Sequence, residues 1–392
     1  MSIYKLENLK DSGGFGMKKE NRWGISWIIY IIGIMILVAL SSYAMLICEN
    51  NIGGWIGLVL IIIGSIIIRS KVAWKGIKFF LLWVLIIVLI IVDFQLTKQV
   101  SLSGALLREL VAAKSAANAN YMNEAEWSAP SGYVVEKTNL GSLPIEKLSK
   151  EESNSQRVIL QLHGGAYVMP LINSYRDIAI KYSQANEDCD VVTIDYRVAP
   201  KDIYPAALED AVAAYKWLME QGYSNENIII TGDSAGGGLA LATTLYLRDN
   251  EVPLPKAVIV MSPWANLENT SPSRTDNYDK DPCLGQGLQG IALQISNPDY
   301  VGEHDIKDPY ISPVYGDYKD FPPLLVQVGT HEILYDDAID VAKKAEAAGV
   351  KVQETTYNGM FHVFQMAWQI VPEGKKAWNE VQTFIKDVYA GQ

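Results

Sequence analysis

Apolar and polar positions divide the chain into two parts of different character. Long apolar runs with almost no charge occupy residues 25–47, 52–68 and 77–92, whereas later apolar runs are short and alternate with amphipathic stretches. The first run has 23 uncharged residues, about 34 Å as a helix at roughly 1.5 Å per residue, which is enough to cross a bilayer. The pattern predicts an N-terminal anchor of three transmembrane helices; buried core helices are the alternative interpretation.

Positive charges flank these runs unevenly. Three Lys or Arg residues lie within 18–22 and four within 69–78, whereas residues 48–51, between the first two runs, have none. Because cytoplasmic loops collect Lys and Arg, residues 1–24 are predicted to be cytoplasmic. Three spans then place residues 93–392 outside the cell. This expectation reverses if 77–92 only lies on the membrane.

The rest of the chain has the spacing of a globular α/β domain. Residues 93–128 predict one or two helices just beyond the membrane, and 129–392 alternate between apolar strands and amphipathic helices such as 205–220. The predicted strands are 133–136, 158–162, 191–194, 228–231, 258–261, 324–328 and 352–356. Such alternation predicts a doubly wound, mainly parallel sheet. Residues 149–156 are expected in an exposed loop or hairpin tip, and 268–320 in loops with short helices.

Charge and cysteine content narrow the possible partners. The net charge is −11, and residues 1–92 carry nine Lys and Arg against four Asp and Glu, which leaves −16 on residues 93–392. An acidic domain argues against nucleic acid as a partner. Cys48, Cys189 and Cys283 lack the spacing of a metal site, and the last two permit one disulfide. We expect no metal and no cofactor.

A short motif in the globular part predicts a nucleophile. Gly232, Ser234 and Gly236 form G-x-S-x-G, which follows the apolar run 228–230 and precedes a run of small residues that predicts a helix. A buried strand, a tight turn and a helix are the setting in which this motif presents a reactive serine. Glycine on both sides relieves the crowding of such a turn. Ser234 is the predicted nucleophile.

A carboxylate and a histidine follow in the order that such a serine requires. Glu332 comes just after the predicted strand 324–328, and His362 lies in the loop after 352–356. Acids of this type sit just beyond the end of a strand, and the histidine follows last. Glu332 is therefore the predicted acid and His362 the base. Asp336 and Asp337 are rival acids that we expect to begin a helix instead. His304 is expected to be a surface loop residue and His331 a solvated loop histidine.

The strand 158–162 ends in small residues suited to holding an oxyanion. His163 is followed by Gly164 and Gly165, which leave backbone N–H groups accessible. We predict that the N–H groups of Gly164, Gly165 and Ala235 stabilise the oxyanion of an acyl-transfer intermediate. His163 is expected to orient this loop through hydrogen bonds.

Six motifs together resemble one known family. They are His163–Tyr167, Asp195–Pro200, Tyr204–Ala207, Gly232–Gly237, Gly329-x-x-Glu332-x-Leu334-x-Asp336 and Phe361–Phe364. In residues 95–390 the chain resembles the hormone-sensitive-lipase-like branch of the α/β-hydrolases, chiefly its bacterial esterases. Three positions depart from the usual pattern: Ala166 where many members have glycine, Lys201 where glutamate is common, and Glu332 where aspartate is more usual.

The resemblance implies an α/β-hydrolase fold with a helical cap, built partly from residues 93–128, and a carboxylic ester hydrolase. It also implies that Asp195 and Arg197 are structural, and we expect Asp233 to support the site as well. The three-run anchor is not typical of the family, so the membrane location rests on this chain's own pattern.

The combined expectation is an integral protein of the cell membrane whose catalytic domain faces the outside of the cell and cleaves small or short-acyl esters.

 The same serine, acid and histidine could also serve an acyltransferase or a peptidase. A non-catalytic ligand-binding protein of this fold and a membrane scaffold with a vestigial hydrolase domain are further alternatives. The sequence predicts neither the physiological ester nor the oligomeric state.

Overall fold

The computed structural model describes residues 100, 102–115, 126–285, 295 and 297–391. The chain divides into two units, residues 1–93 and 94–392, and all of the described residues belong to the second. The three long apolar runs and the predicted cytoplasmic segment 1–24 lie outside the described residues. Among the helices that are described, none has both the length and the apolar character needed to cross a membrane.

The described residues form strands and helices in alternation. The strands are β1 Tyr133–Leu140, β2 Leu143–Lys150, β3 Val158–Leu162, β4 Asp190–Ile194, β5 Ile228–Asp233, β6 Ala257–Met261, β7 Leu324–Gly329 and β8 Val352–Tyr357. The helices are α1 Leu102–Ser115, α2 Asn173–Ala185, α3 Ala206–Glu220, α4 Ser234–Asp249, α5 Ser273–Asp276, α6 Tyr335–Ala347 and α7 Pro372–Ala390. Short 3₁₀ turns cover Asn225–Asn227, Asp299–Val301, Pro313–Tyr315 and Phe364–Ala367.

The strands form one sheet of eight, in the order β1-β2-β4-β3-β5-β6-β7-β8. The pairs β1–β2 and β2–β4 are antiparallel, and all pairs from β4 to β8 are parallel. The carboxyl ends of the parallel strands therefore share one edge of the sheet. Loops that follow β3, β5, β6, β7 and β8 meet at that edge, which is where ligand sites form in sheets of this kind.

Helices cover both faces of the sheet. Side chains of β3 alternate between the faces: Leu160 belongs to the core beneath α3, α4 and α6, and Ile159 to the core beneath α2 and α7. All five β3 residues are buried, as are those of β4 and β6. Burial on both faces explains why these strands are continuous apolar runs rather than alternating ones.

The predicted doubly wound, mainly parallel sheet is confirmed, with one strand missed. The predicted helix 205–220 is α3, and its apolar positions Leu208, Val212, Tyr215 and Leu218 are buried as expected. The tract 149–156 was expected outside the sheet, but its first two residues end β2. β2 escaped prediction because Pro144 and two lysines interrupt its pattern, and few of its positions are fully buried.

Two other regions agree with the sequence pattern where they are described. Within the predicted cap segment 93–128, residues Leu102–Ser115 form α1, and 116–125 lie outside the described residues. Within 268–320, the structure has α5 and two short 3₁₀ turns among loops. Residues 286–294 of that region are also outside the described part.

Candidate active site

Ser234 lies at the sharp turn between β5 and α4. Its φ is +53°, a left-handed conformation that is strained for a residue with a side chain, and its backbone begins α4. A Cβ on Gly232 would lie 2.2 Å from the Gly236 carbonyl oxygen, and one on Gly236 would lie 2.1 Å from the Leu162 oxygen. Because no side chain fits at these contacts, glycine is required on both sides of the serine.

The three predicted triad residues contact one another at the carboxyl edge of the sheet. The Ser234 hydroxyl oxygen lies 2.9 Å from Nε2 of His362. Nδ1 of His362 lies 3.0 Å from Oε2 of Glu332. Glu332 is fully buried and Ser234 is 5% exposed. This arrangement lets the imidazole take a proton from the hydroxyl while its other nitrogen donates to the carboxylate.

Glu332 is held in place by donors on the side away from the histidine. Its Oε1 accepts hydrogen bonds from the Gly329 N–H at 2.6 Å and from the Ser262 hydroxyl at 2.8 Å. Ser262 also accepts from the Val363 N–H at 3.2 Å, next to His362. Ser262 therefore links the loop that carries Glu332 to the loop that carries His362. No sequence motif identified Ser262 as part of the site. It directly follows β6, however, and therefore lies at the same edge of the sheet as the other site residues.

Replacing Ser262 with Ala is expected to lower kcat for a short ester by about tenfold. A hydrogen bond to a charged group contributes about 1.5–3 kcal/mol, and its loss frees one oxygen of the carboxylate that orients His362. Steady-state kinetics measures the change, and urea unfolding reports the accompanying loss of stability. A variant that loses stability but keeps kcat would contradict the positioning role of Ser262.

Buried carboxylates control the protonation of the site. Burial by itself lowers the pKa of His362, but the hydrogen bond and charge of Glu332, with the charges of Asp281 and Asp233, outweigh it and raise that pKa above its usual value. Burial raises the pKa of Glu332, and the hydrogen bond to His362 opposes the rise. The imidazole is therefore stabilised in the charged form that develops when it accepts a proton.

The raised pKa of His362 predicts where activity is lost at low pH. As the predicted general base, His362 must be neutral to act, so activity is expected above the pKa of His362 and is expected to be lost as the pH falls through it. The acidic limb of kcat/KM should therefore have its midpoint above 6.5, the ordinary value for histidine. A pH profile with a soluble ester measures it, and a midpoint below 6 would contradict the prediction.

The loop after β3 places its backbone amides beside the serine, with one correction to the predicted donors. The Gly164 N–H donates to the Tyr175 hydroxyl at 2.8 Å, so it is already engaged and the prediction that it binds an oxyanion is wrong. The Gly165 and Ala166 amides find no acceptor among the described residues. Both stand at positive φ, which turns this loop tightly around the site.

A buried chain of hydrogen bonds leads from the Gly164 N–H through Tyr175 to Asp233. The Tyr175 hydroxyl, on α2, donates to Oδ2 of Asp233 at 2.8 Å while accepting from Gly164. Burial raises the pKa of Asp233 to about 7, against the lowering effects of the Tyr175 hydrogen bond and the charge of His362. Asp233 therefore supports the loop through Tyr175, a partner that lies 58 residues away in sequence.

His163 is a buried residue of the same loop and does not contact the triad. Its Nδ1 lies 2.8 Å from the Gly164 carbonyl oxygen, and its ring stacks on Tyr196 with centroids 4.2 Å apart. Burial lowers its pKa to about 4, so the ring is neutral near pH 7 and its Nδ1–H donates to Gly164. These contacts fit the predicted loop-orienting role.

Asp195 and Arg197 hold neighbouring loops rather than the reacting groups. Oδ1 of Asp195 accepts from the Leu171 N–H at 2.8 Å. Arg197 donates to both carboxylate oxygens of Asp210 and to the Ala206 carbonyl, which ties its loop to α3. Both residues therefore act on the structure around the site.

The rival carboxylates and the other histidines are engaged elsewhere. Asp337 is buried and accepts from the amides of Ala265 and Asn266 and from Arg274, and Asp336 accepts from the Ser273 amide. The prediction that His331 is solvated is wrong, because the residue is 5% exposed and contacts Arg108 of α1. His304 is exposed, as predicted, and packs edge-on against Tyr204. None of these four residues contacts His362 in the described hydrogen bonds.

The structure also shows whether the two cysteines of the globular part are paired and whether its side chains form a metal site. Cys189 and Cys283 are both free thiols, so they form no disulfide with each other. Cys283 lies beside His362, with its sulfur 3.8 Å from the His362 carbonyl oxygen. In the part of the chain that the structure describes, no cluster of three or more His, Cys, Asp or Glu residues has the arrangement of a metal site.

Comparison with known proteins identifies the family. The alpha/beta hydrolase fold family matches residues 159–366. The chain is 37% identical over 231 residues to an acetyl-hydrolase of Streptomyces hygroscopicus, a match that covers 59% of this chain and 75% of that protein. It is 36% identical over 237 residues to an esterase of Acinetobacter venetianus, which covers 60% of this chain and 76% of that protein.

Solved structures that are similar to this chain also include esterases. An esterase/lipase from an uncultured bacterium is 34% identical, with a TM-score of 0.65 over 74% of this chain and 99% of the other. An esterase from the bacterial hormone-sensitive lipase family is also 34% identical, with a TM-score of 0.62 over 71% of this chain and 90% of the other. The chain therefore belongs to the α/β-hydrolase fold family, in its hormone-sensitive-lipase-like branch.

Proposed function

We propose that this carboxylic ester hydrolase works through a triad of Ser234, His362 and Glu332 and forms an acyl-enzyme on Ser234. The observation that supports the proposal is the continuous hydrogen-bonded chain from the serine hydroxyl through both imidazole nitrogens to a buried carboxylate, at 2.9 and 3.0 Å. Distances of this size allow proton transfer without rearrangement of the side chains.

The reaction proceeds in two stages. His362 takes the hydroxyl proton as Ser234 attacks the acyl carbonyl, and it then gives that proton to the departing alcohol. Glu332 stabilises the imidazolium that forms in between. Water attacks the acyl-enzyme in the second stage, with His362 again accepting the proton, and releases the carboxylic acid.

The oxyanion of each tetrahedral intermediate needs backbone donors near Ser234. We assign this role to the amides of Gly165 and Ala235, as the sequence predicts, and add the Ala166 amide because Gly164 is bound to Tyr175. Ala235 follows Ser234 at the start of α4, where the backbone N–H groups have no acceptor within the helix. Losing one such donor typically costs about 3–4 kcal/mol of transition-state stabilisation.

Short-acyl esters are the proposed substrates. Support comes from the relatives named acetyl-hydrolase and esterase, which match three quarters of their own length. A series of p-nitrophenyl esters from acetate to palmitate tests the proposal, and the expected kcat/KM is highest for the shortest chains. A maximum at long chains would contradict the short-acyl assignment.

One experiment separates hydrolysis from the alternative functions. A fluorophosphonate probe should label the wild-type chain at Ser234, with the site identified by mass spectrometry of the labelled peptide. Absence of labelling would favour the non-catalytic alternatives. Parallel assays with an added alcohol acceptor and with the matching p-nitroanilide distinguish an acyltransferase and a peptidase, and the proposal expects hydrolysis of the ester to dominate.

We further propose that residues 25–92 anchor the enzyme in the cell membrane, with the catalytic domain outside. The support is the three apolar runs and the distribution of Lys and Arg around them. Lys201, whose side chain is 91% exposed, offers a reporter position. A Lys201→Cys variant should be labelled by a membrane-impermeant maleimide in intact cells. Labelling only after lysis would place the domain inside, and recovery of the chain in the soluble fraction would refute the anchor.

A further inference from the structure

Arg108 of α1 contacts the loops that carry both the proposed acid and the proposed base. Its side chain is 7% exposed. The Nη1 atom lies 3.0 Å from Nδ1 of His331 and donates to the Gly359 carbonyl oxygen at 3.1 Å. His331 precedes Glu332 in the chain, and Gly359 lies three residues before His362. One guanidinium nitrogen therefore bridges the loop after β7 and the loop after β8.

The two loops are also bonded to each other at the same place. The His331 N–H donates to the Met360 carbonyl at 3.1 Å, and the Thr330 N–H donates to the Tyr357 carbonyl at 3.0 Å. The Gly359 N–H donates to the Thr330 hydroxyl at 2.8 Å. Because these hydrogen bonds join the two loops, a group that binds both of them also helps to fix the distance between Glu332 and His362.

A second contact shows that the segment around α1 packs directly on the histidine loop. Val100 is fully buried, and a Cβ on Gly359 would lie 1.9 Å from its Cγ2 atom. Gly359 also has a φ of +66°, so the loop both turns tightly and leaves room for Val100. The contact of Arg108 is therefore part of a packed junction.

We propose that Arg108 is a positioning residue, which holds the acid and base loops at the spacing that the His362–Glu332 hydrogen bond requires. This inference rests on the proposed function. Arg108 has only donors, so Nδ1 of His331 accepts and the His331 ring carries its proton on Nε2. The junction makes catalysis depend on α1, the first described helix after the predicted membrane anchor.

The test is the full-length Arg108→Met variant, which keeps side-chain length and removes the donors. Misplacement of a reacting group by about 1 Å can cost about 100-fold in rate. We expect kcat for p-nitrophenyl acetate to fall between tenfold and 100-fold, with KM changed by about twofold or less. A loss confined to KM, or a kcat that falls only with the folded fraction measured by circular dichroism, would overturn the proposal.

His331 variants test whether the effect passes through the observed contact. His331→Asn retains an oxygen near the position of Nδ1 and should keep most of kcat, whereas His331→Leu removes the acceptor and should resemble Arg108→Met. The two losses should not add in the double variant Arg108→Met/His331→Leu, since both break the same contact. Fully additive losses would contradict the coupling.

Arg248→Met is the matched control. Arg248 also ties a helix to a loop, with donation to the Lys319 carbonyl at 3.0 Å, but its loop leads into the opposite end of β7. We expect it to lower stability and leave kcat unchanged. Ser234→Ala separates the two proposals: full activity in that variant refutes the triad itself. Loss of activity there, combined with full kcat in Arg108→Met, refutes only the role of Arg108.

Discussion

Replacing Ser234 with Ala is expected to lower kcat for p-nitrophenyl acetate by about 10⁶-fold, because removal of the nucleophile of a triad has an effect of this order. The hydroxyl oxygen is the only atom removed, and it is the one that His362 contacts at 2.9 Å. The residual rate should come from the oxyanion donors alone. Steady-state kinetics on protein purified from a host without competing esterases measures the loss.

The fold of the Ser234→Ala variant should be unchanged. Alanine fits the same turn, and the requirement for glycine at Gly232 and Gly236 is not affected. Thermal unfolding should therefore give a Tm close to that of the wild type, because alanine keeps the same Cβ at a φ of +53° and loses only the hydroxyl with its hydrogen bond to His362. Activity within tenfold of the wild type, in protein shown by mass spectrometry to carry alanine, would sink the assignment of the nucleophile.

The sheet was predictable because its central strands are buried on both faces. Short continuous apolar runs such as Val158–Leu162 and Ala257–Met261 indicate strands buried on both faces of a sheet when turns and amphipathic helices separate them. β2 lacks that signature, since it lies near the edge of the sheet and pairs through its backbone whatever its side chains are. Backbone pairing of this kind leaves little trace in a single sequence.

The side chains of the proposed triad could be predicted from the sequence, but the groups that hold them in place could not. The order of the motifs along the chain and their positions after strands identify Ser234, Glu332 and His362. Residues that follow parallel strands lie at one edge of the sheet, because the carboxyl ends of those strands lie there. The use of the Gly164 amide depends on Tyr175, which reaches the loop from α2. Arg108 meets its partners across 223 and 251 residues of sequence. Such contacts follow from packing between helices and loops, for which the sequence has no local pattern.

Replacing Glu332 with Gln is expected to lower kcat by about 10⁴-fold, although the side chains have the same shape. Two donors, the Gly329 amide and the Ser262 hydroxyl, face Oε1, so the oxygen of glutamine should stay on that side. Its NH₂ group then faces Nδ1 of His362 and donates to it. The imidazole proton moves to Nε2, which can no longer accept the proton of Ser234.

The pH profile separates this loss of the correct tautomer from simple misfolding. The charge and hydrogen bond of Glu332 raise the pKa of His362, so the midpoint of the acidic limb should move to lower pH in Glu332→Gln. Asp336→Asn is the matched control, because Asp336 binds the Ser273 amide and not His362. We expect the control to keep kcat within about twofold and the same midpoint. If Asp336→Asn loses activity and Glu332→Gln keeps it, the acid has been assigned to the wrong carboxylate, and the buried chain from Ser234 to Glu332 is structural.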